Sequence, residues 1–138
     1  MHNKIRGLLG FFLLAAVTLL GACVAFDVAD REGSCQPGLQ CEFHGELHVF
    51  PGEPVSTVIV QSRNICVKLA LSDDYYGKLS VWDRREVLVR GVAFDQFYDP
   101  GLGMTWYRYK DRKLGVGICD YGYGIYVDSI DVDKERRW

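Results

Sequence analysis

Alternation of apolar and polar residues is the strongest constraint on what this chain can fold into. Phe43, Gly45, Leu47 and Val49 alternate with His44, Glu46 and His48. A period of two turns one set of side chains to a core and the other to water, as in a half-buried strand. Pro51-Gly52-Glu53-Pro54 ends that segment. Residues 56–71 are rich in β-branched side chains around a polar break at Gln61 to Asn64, so they form two strands or one long strand with a bend. Asp73-Asp74-Tyr75-Tyr76-Gly77 is a turn signal. Glu86 to Phe94 is the clearest strand, and Gly91 within it marks a bulge or sharp bend. A loop follows over 95–105 around Pro100-Gly101-Leu102-Gly103, and Trp106 to Tyr109, Leu114 to Cys119 and Ile125 to Val132 supply further strands. Glycines at 115, 117, 122 and 124 leave little room for a helix in this half. The fold class is therefore mainly β, a small antiparallel barrel, because closure removes exposed strand edges. At 138 residues, 49% apolar and 25% charged, the chain suits one globular domain rather than a multidomain enzyme.

The N-terminus is organised differently. Lys4 and Arg6 precede the apolar run Leu8 to Leu20, which Gly10 and Thr18 alone interrupt. That run falls short of the ~20 residues a permanent transmembrane helix needs. It reads as an export signal. Leu20-Gly21-Ala22-Cys23 then resembles the lipobox of bacterial lipoproteins, an apolar residue and two small ones before a cysteine. The resemblance implies cleavage before Cys23 and acylation of its sulfur and new amino group, with Val24 matching the outer-membrane class. Several acyl chains would give stable anchoring, each buried methylene contributing ~0.8 kcal/mol. The expected organisation is a signal peptide over 1–22, a lipidated N-terminus and tether over 23–40, and one β domain over 41–138. The expected location is the cell envelope, with the domain facing the periplasm. Loss of Lys4 and Arg6 takes the 16 basic residues to 14 against 18 acidic ones, a net charge of −4. Generic nucleic-acid binding is disfavoured by that balance.

With Cys23 assigned to lipid, Cys35, Cys41, Cys66 and Cys119 remain, and an even number in an exported domain implies two disulfides. Three pairings exist. Cys35 and Cys41 flank a turn-rich stretch that suits a short clip, leaving Cys66 to join Cys119 across a long loop. There is no C-x-x-C and no histidine clustered with the cysteines, so a zinc site has little support.

Phe43-His44-Gly45-Glu46-Leu47, Asp83-Arg84-Arg85-Glu86-Val87-Leu88-Val89-Arg90-Gly91 and Ile125-Tyr126-Val127-Asp128-Ser129-Ile130 resemble strands of small exported OB-fold domains over roughly residues 42–133. The resemblance implies a barrel closed by its last strand. No helix is evident between the third and fourth strands, where that family often has one, and the 95–105 loop would stand in for it. An SH3-like barrel and a small β-sandwich are the alternatives.

No residue pattern points to catalysis. There is no G-x-S-x-G, and no phosphate-cradling loop leads from a strand into a helix. His44 and His48 share a strand face with Glu46, but four residues of strand separate them by ~13 Å, too far to share one metal ion. Asp73 with Asp74, and Asp128 with Asp131 and Asp133, lack the spacing of a calcium loop and suit turns and surface. Arg84-Arg85 and Lys134-Glu135-Arg136-Arg137 read as exposed charge. The stretch 105–113 is the most informative, since Arg108, Lys110, Arg112 and Lys113 interleave with Trp106, Tyr107 and Tyr109. Such a surface can stack on sugars or bases or anchor a protein; the alternative is that alternate residues of this stretch pack in the core while the basic ones stay solvated. Trp106, Tyr107, Arg108, Tyr109 and Lys110 are the expected partner contacts, with Phe97, Tyr98, Tyr121 and Tyr123 joining them in an aromatic cluster. The sequence thus leads to a non-catalytic envelope lipoprotein, held in the membrane by acyl chains on Cys23, that needs no cofactor and binds a protein or glycan. A structural or assembly role in an envelope complex and inhibition of a lysozyme-type hydrolase are the other readings.

Overall fold

The computed structural model describes residues 35–97, 100–120 and 122–134. The lipobox, with Cys23, lies outside the described residues, as do Tyr98 and Tyr121. The chain is mainly β, with strands β1 (Gln40–Phe50), β2 (Thr57–Ser62), β3 (Ile65–Ala70), β4 (Glu86–Asp95), β5 (Trp106–Tyr109), β6 (Arg112–Gly115) and β7 (Tyr123–Val132). Five of these close a barrel in the order β1-β2-β3-β7-β4. Strand β1 serves two neighbours, pairing with β4 through Gln40 to Glu46 and with β2 through Glu46 to Phe50. Gly45 sits where it changes partner, and a side chain there would collide with the Gln61 carbonyl.

One pair departs from the antiparallel expectation. Strands β3 and β7 run parallel, Lys68 opposite Gly124 and Ala70 opposite Tyr126. Parallel neighbours need a long crossover, and the intervening helices, β4 and the 96–122 excursion provide it. This order, with its single parallel pair at closure, is the OB-like arrangement. Alternation fills the interior with Phe43, Leu47, Val58, Val60, Val67, Leu69, Val87, Val89, Ile125 and Val127. Gly91 is where the β4–β7 register shifts, and a side chain at that position would strike the Tyr126 carbonyl.

Three boundaries correct the sequence reading. Residues 73–82 form two short helices, α1 (Asp73–Tyr76) and α2 (Leu79–Trp82), between β3 and β4. A helix therefore does stand between the third and fourth barrel strands, and the 95–105 loop does not replace it. Four-residue helices are too short to show a 3.6-residue period, which is why the segment read as a turn. Trp82 is buried there, its ring centroid 5.3 Å from that of Tyr75. The strand expected over 114–119 lies earlier, at Arg112–Gly115. The stretch read as tether contributes Cys35 to the core, and Gly38 N–H donates to the Ala93 carbonyl at 2.8 Å.

Both disulfides form as the spacing suggested. Cys35 pairs with Cys41 at a Cα separation of 5.2 Å, and Cys66 with Cys119 at 5.6 Å. The second closes a loop of 53 residues, for which the chain-entropy model assigns about 4 kcal/mol.

Candidate functional site

Between β4 and β7 the chain leaves the barrel, forms the β5–β6 hairpin and returns across the outside of β2 and β3. Alternation explains how it is held. In β2 and β3 the inward residues are Val58, Val60, Val67 and Leu69, so Thr57, Ile59, Cys66, Lys68 and Ala70 point outward. Outward residues on an open sheet face would be solvated, yet Thr57, Ile59, Lys68 and Ala70 are all buried. Residues 114–120 cover them. Gly115 lies so close to Thr57 that it has no room for a side chain, and Thr57 Oγ1 donates to the Val116 carbonyl at 3.2 Å. Leu114 packs with Ala70 and Phe94. Cys119 is bonded to Cys66, and Lys68 Nζ lies 2.7 Å from Asp120 Oδ1. OB-like barrels take ligands on the face of their second and third strands; here the chain's own excursion occupies that face.

The hairpin is fixed by aromatic packing. Tyr107 and Tyr109 share one face of β5 and join the Ala70, Phe94 and Leu114 cluster, with Tyr126 beside them. Tyr109 stacks on Phe94, and the Arg112 guanidinium sits 4.5 Å from the Tyr126 ring centre. The Tyr126 hydroxyl donates to Asp111, which holds the Asp111 carboxyl below its ordinary range and raises the phenol. Phe97 meets Tyr107 edge-on at 6.2 Å, and its N–H donates to the Tyr107 hydroxyl at 3.1 Å. Burial pushes the Tyr107 phenol up. At the other end Leu71 and Lys113 exchange backbone hydrogen bonds of 2.9 Å, and Lys113 Nζ lies 2.7 Å from Asp73 Oδ1. A hydrogen bond from that ammonium is the main reason the Asp73 carboxyl is lowered.

The five residues expected to contact a partner thus divide. Arg108 and Lys110 are exposed and Trp106 is half-buried, whereas Tyr107 and Tyr109 turn toward the barrel. Tyr123 packs against the main core instead of the hairpin cluster. Sequence reasoning did not single out Leu102, 63% exposed, and took Phe97, 54% exposed, only as part of an aromatic cluster. Leu102 in a glycine-rich loop carried a usable signal, because an apolar side chain without a strand period has no core position to occupy. Lys68 carried another, a cation inside the apolar run Val67 to Leu71.

The histidines of β1 line a different hollow, an open polar cavity of about 510 Å³ with Glu46, Arg63 and Glu86. His44 Nε2 is 3.0 Å from Asp133, and His48 Nε2 is 3.4 Å from Glu46. The two rings face separate carboxylates, and among the described residues no group of three or more ligating side chains is placed to hold a metal ion. Of the other acids, Asp131 meets Arg90 at 2.6 Å and Asp128 accepts from Gln40 at 3.2 Å. Among the described residues no helix is long and apolar enough to cross a membrane. No family model matches the chain, and neither a curated protein nor a solved structure matches it.

Proposed function

We propose that this protein is a lipid-anchored envelope protein without catalytic activity, which binds a protein partner through the excursion between β4 and β7. The observation that carries the reading is the coexistence of Phe97, Leu102 and Arg108, all exposed, on a segment fastened to the barrel by a disulfide and stacked rings. Interface hot spots are enriched in arginine and aromatic side chains, and Arg108 and Phe97 offer such anchors on the same segment as the exposed apolar Leu102. Fastening the segment in advance lowers the ordering cost of association. A protein is favoured over a glycan because two of the rings a sugar could stack on are already engaged: Tyr109 lies on Phe94 and Tyr126 lies under Arg112. Anchoring through Cys23 rests on the lipobox resemblance and on the even cysteine count that remains once Cys23 is set aside.

Two measurements test the two halves. The intact mass of membrane-extracted protein should correspond to acylated Cys23 with two disulfides, and Cys23→Ala should release unacylated protein. A soluble, unacylated wild-type product would refute the anchor. The double substitution Leu102→Ser with Arg108→Glu should abolish partner association while leaving the thermal midpoint unchanged. Retention of the association would refute the surface.

A further inference from the structure

We propose that residues 116–120 form a latch across the outer face of β3 that opens when a dithiol reduces the Cys66–Cys119 bond. The inference goes beyond partner binding and does not depend on it. Its starting point is Lys68, an outward-facing lysine that is 0% exposed. Its ammonium is held by Asp120, which also accepts the Gly117 N–H at 3.1 Å. A buried charge is tolerated only while its partner stays in place, so the position of this segment decides whether Lys68 is dry or hydrated.

Little else holds the segment down. None of its residues is buried; Val116, Ile118, Cys119 and Asp120 are half-buried and Gly117 is exposed. Apolar burial therefore contributes little, in contrast to Leu114 just before it. The remaining fastenings include Thr57 to the Val116 carbonyl, and Gln96 Nε2, which donates to the Cys119 carbonyl at 3.0 Å. Cys119 is held at a φ of +55°, a left-handed backbone that a residue with a side chain adopts at a cost. Release relaxes it. The two disulfides also differ in access, because Cys35 is packed into the core with only Cys41 half-buried, whereas both Cys66 and Cys119 are half-buried. A thiolate of the dithiol attacks one sulfur of Cys66–Cys119, forming a mixed disulfide and releasing the other cysteine as a thiolate. The second thiol of the reductant then closes its own disulfide. Two electrons and two protons pass to the protein, leaving Cys66 and Cys119 as thiols, and water reaches Lys68.

Pulse acylation of the full chain with an N-hydroxysuccinimide ester reads the latch directly, with exposed Lys110 as internal reference. In the oxidised protein Lys68 should be protected while Lys110 is modified. In dithiothreitol, and in the Cys66→Ser/Cys119→Ser variant that keeps Cys35–Cys41, the protection of Lys68 should be lost while amide protection of β1 and β4 persists. Continued protection of Lys68 would overturn the proposal. Loss of β1 and β4 protection together with that of Lys68 would overturn it equally, since the bond would then hold the barrel and not a latch.

Discussion

Tyr109 lies flat on Phe94, with ring centroids 3.8 Å apart and planes within 8° of parallel. Phe94 is the next-to-last residue of the strand that leads out of the barrel, and Tyr109 ends the first strand of the hairpin, so the contact folds the excursion back onto its own root. Aromatic pairs contribute about 0.5–1.5 kcal/mol beyond their buried area. Tyr109→Phe should therefore leave the stability unchanged, and Tyr109→Ala should lower the unfolding free energy by the stack and the buried ring together, on the order of 3 kcal/mol. Hydrogen exchange should place the loss in β5 and β6 first.

Gly91 is required by close approach and not by backbone dihedral. A side chain there would strike the Tyr126 carbonyl and the Ile125 side chain of β7. Gly91→Ala should cost about 1–3 kcal/mol through overpacking. A calorimetric scan showing an unchanged midpoint would mean the bulge can shift to make room.

The Lys68 and Asp120 pair is coupled. Asp120→Asn leaves a buried ammonium without its counter-charge, a change that costs about 3–5 kcal/mol where the site stays dry and less where the latch lets water in. Adding Lys68→Met should recover much of that stability, because no charge is then stranded. Denaturant midpoints of the two single variants and the double variant measure the coupling.

Titration should act at the hairpin from both sides of neutrality. Burial, reinforced by the Asp73 charge, raises the phenol of Tyr76, whose hydroxyl donates to the Lys113 carbonyl at 2.8 Å. A raised folded value means this contribution is complete below about pH 10, the unfolded value, and disappears as pH rises through the folded one. The carboxyls of Asp73 and Asp111 are lowered, chiefly by hydrogen bonds from Lys113 and Tyr126. Their contributions are complete above about pH 4 and disappear as pH falls through the lowered values. Stability between pH 5 and 9 should carry little slope from these three groups, and Tyr76→Phe should reduce the alkaline fall; denaturant midpoints against pH check both.

Much of the barrel was legible because alternation writes the inner face directly into the sequence, as Phe43, Leu47, Val87 and Val89 show. Gly91 was readable as a bulge or bend because a glycine interrupts the strand, and the cysteine spacing led to the observed pairing. What could not be read was non-local. The four-residue helices at 73–82 have no period to detect, and the parallel β3–β7 pair depends on where the chain returns. Tyr107 and Tyr109 fit either exposed contacts or an alternating inward set, and the stretch itself does not decide between them, because Phe94, on which Tyr109 stacks, belongs to another strand. The covered face of β2 and β3 left only Lys68 as a trace, a cation whose partner is 52 residues away.

Docking of a partner protein on the β4–β7 excursion, as proposed, can be read by site-specific photo-crosslinking in cells. A benzophenone amino acid at Arg108 should give a discrete protein adduct, and the same probe at Val81, an exposed residue of α2, should give none. No adduct from position 108, or the same adducts from both positions, would contradict the account.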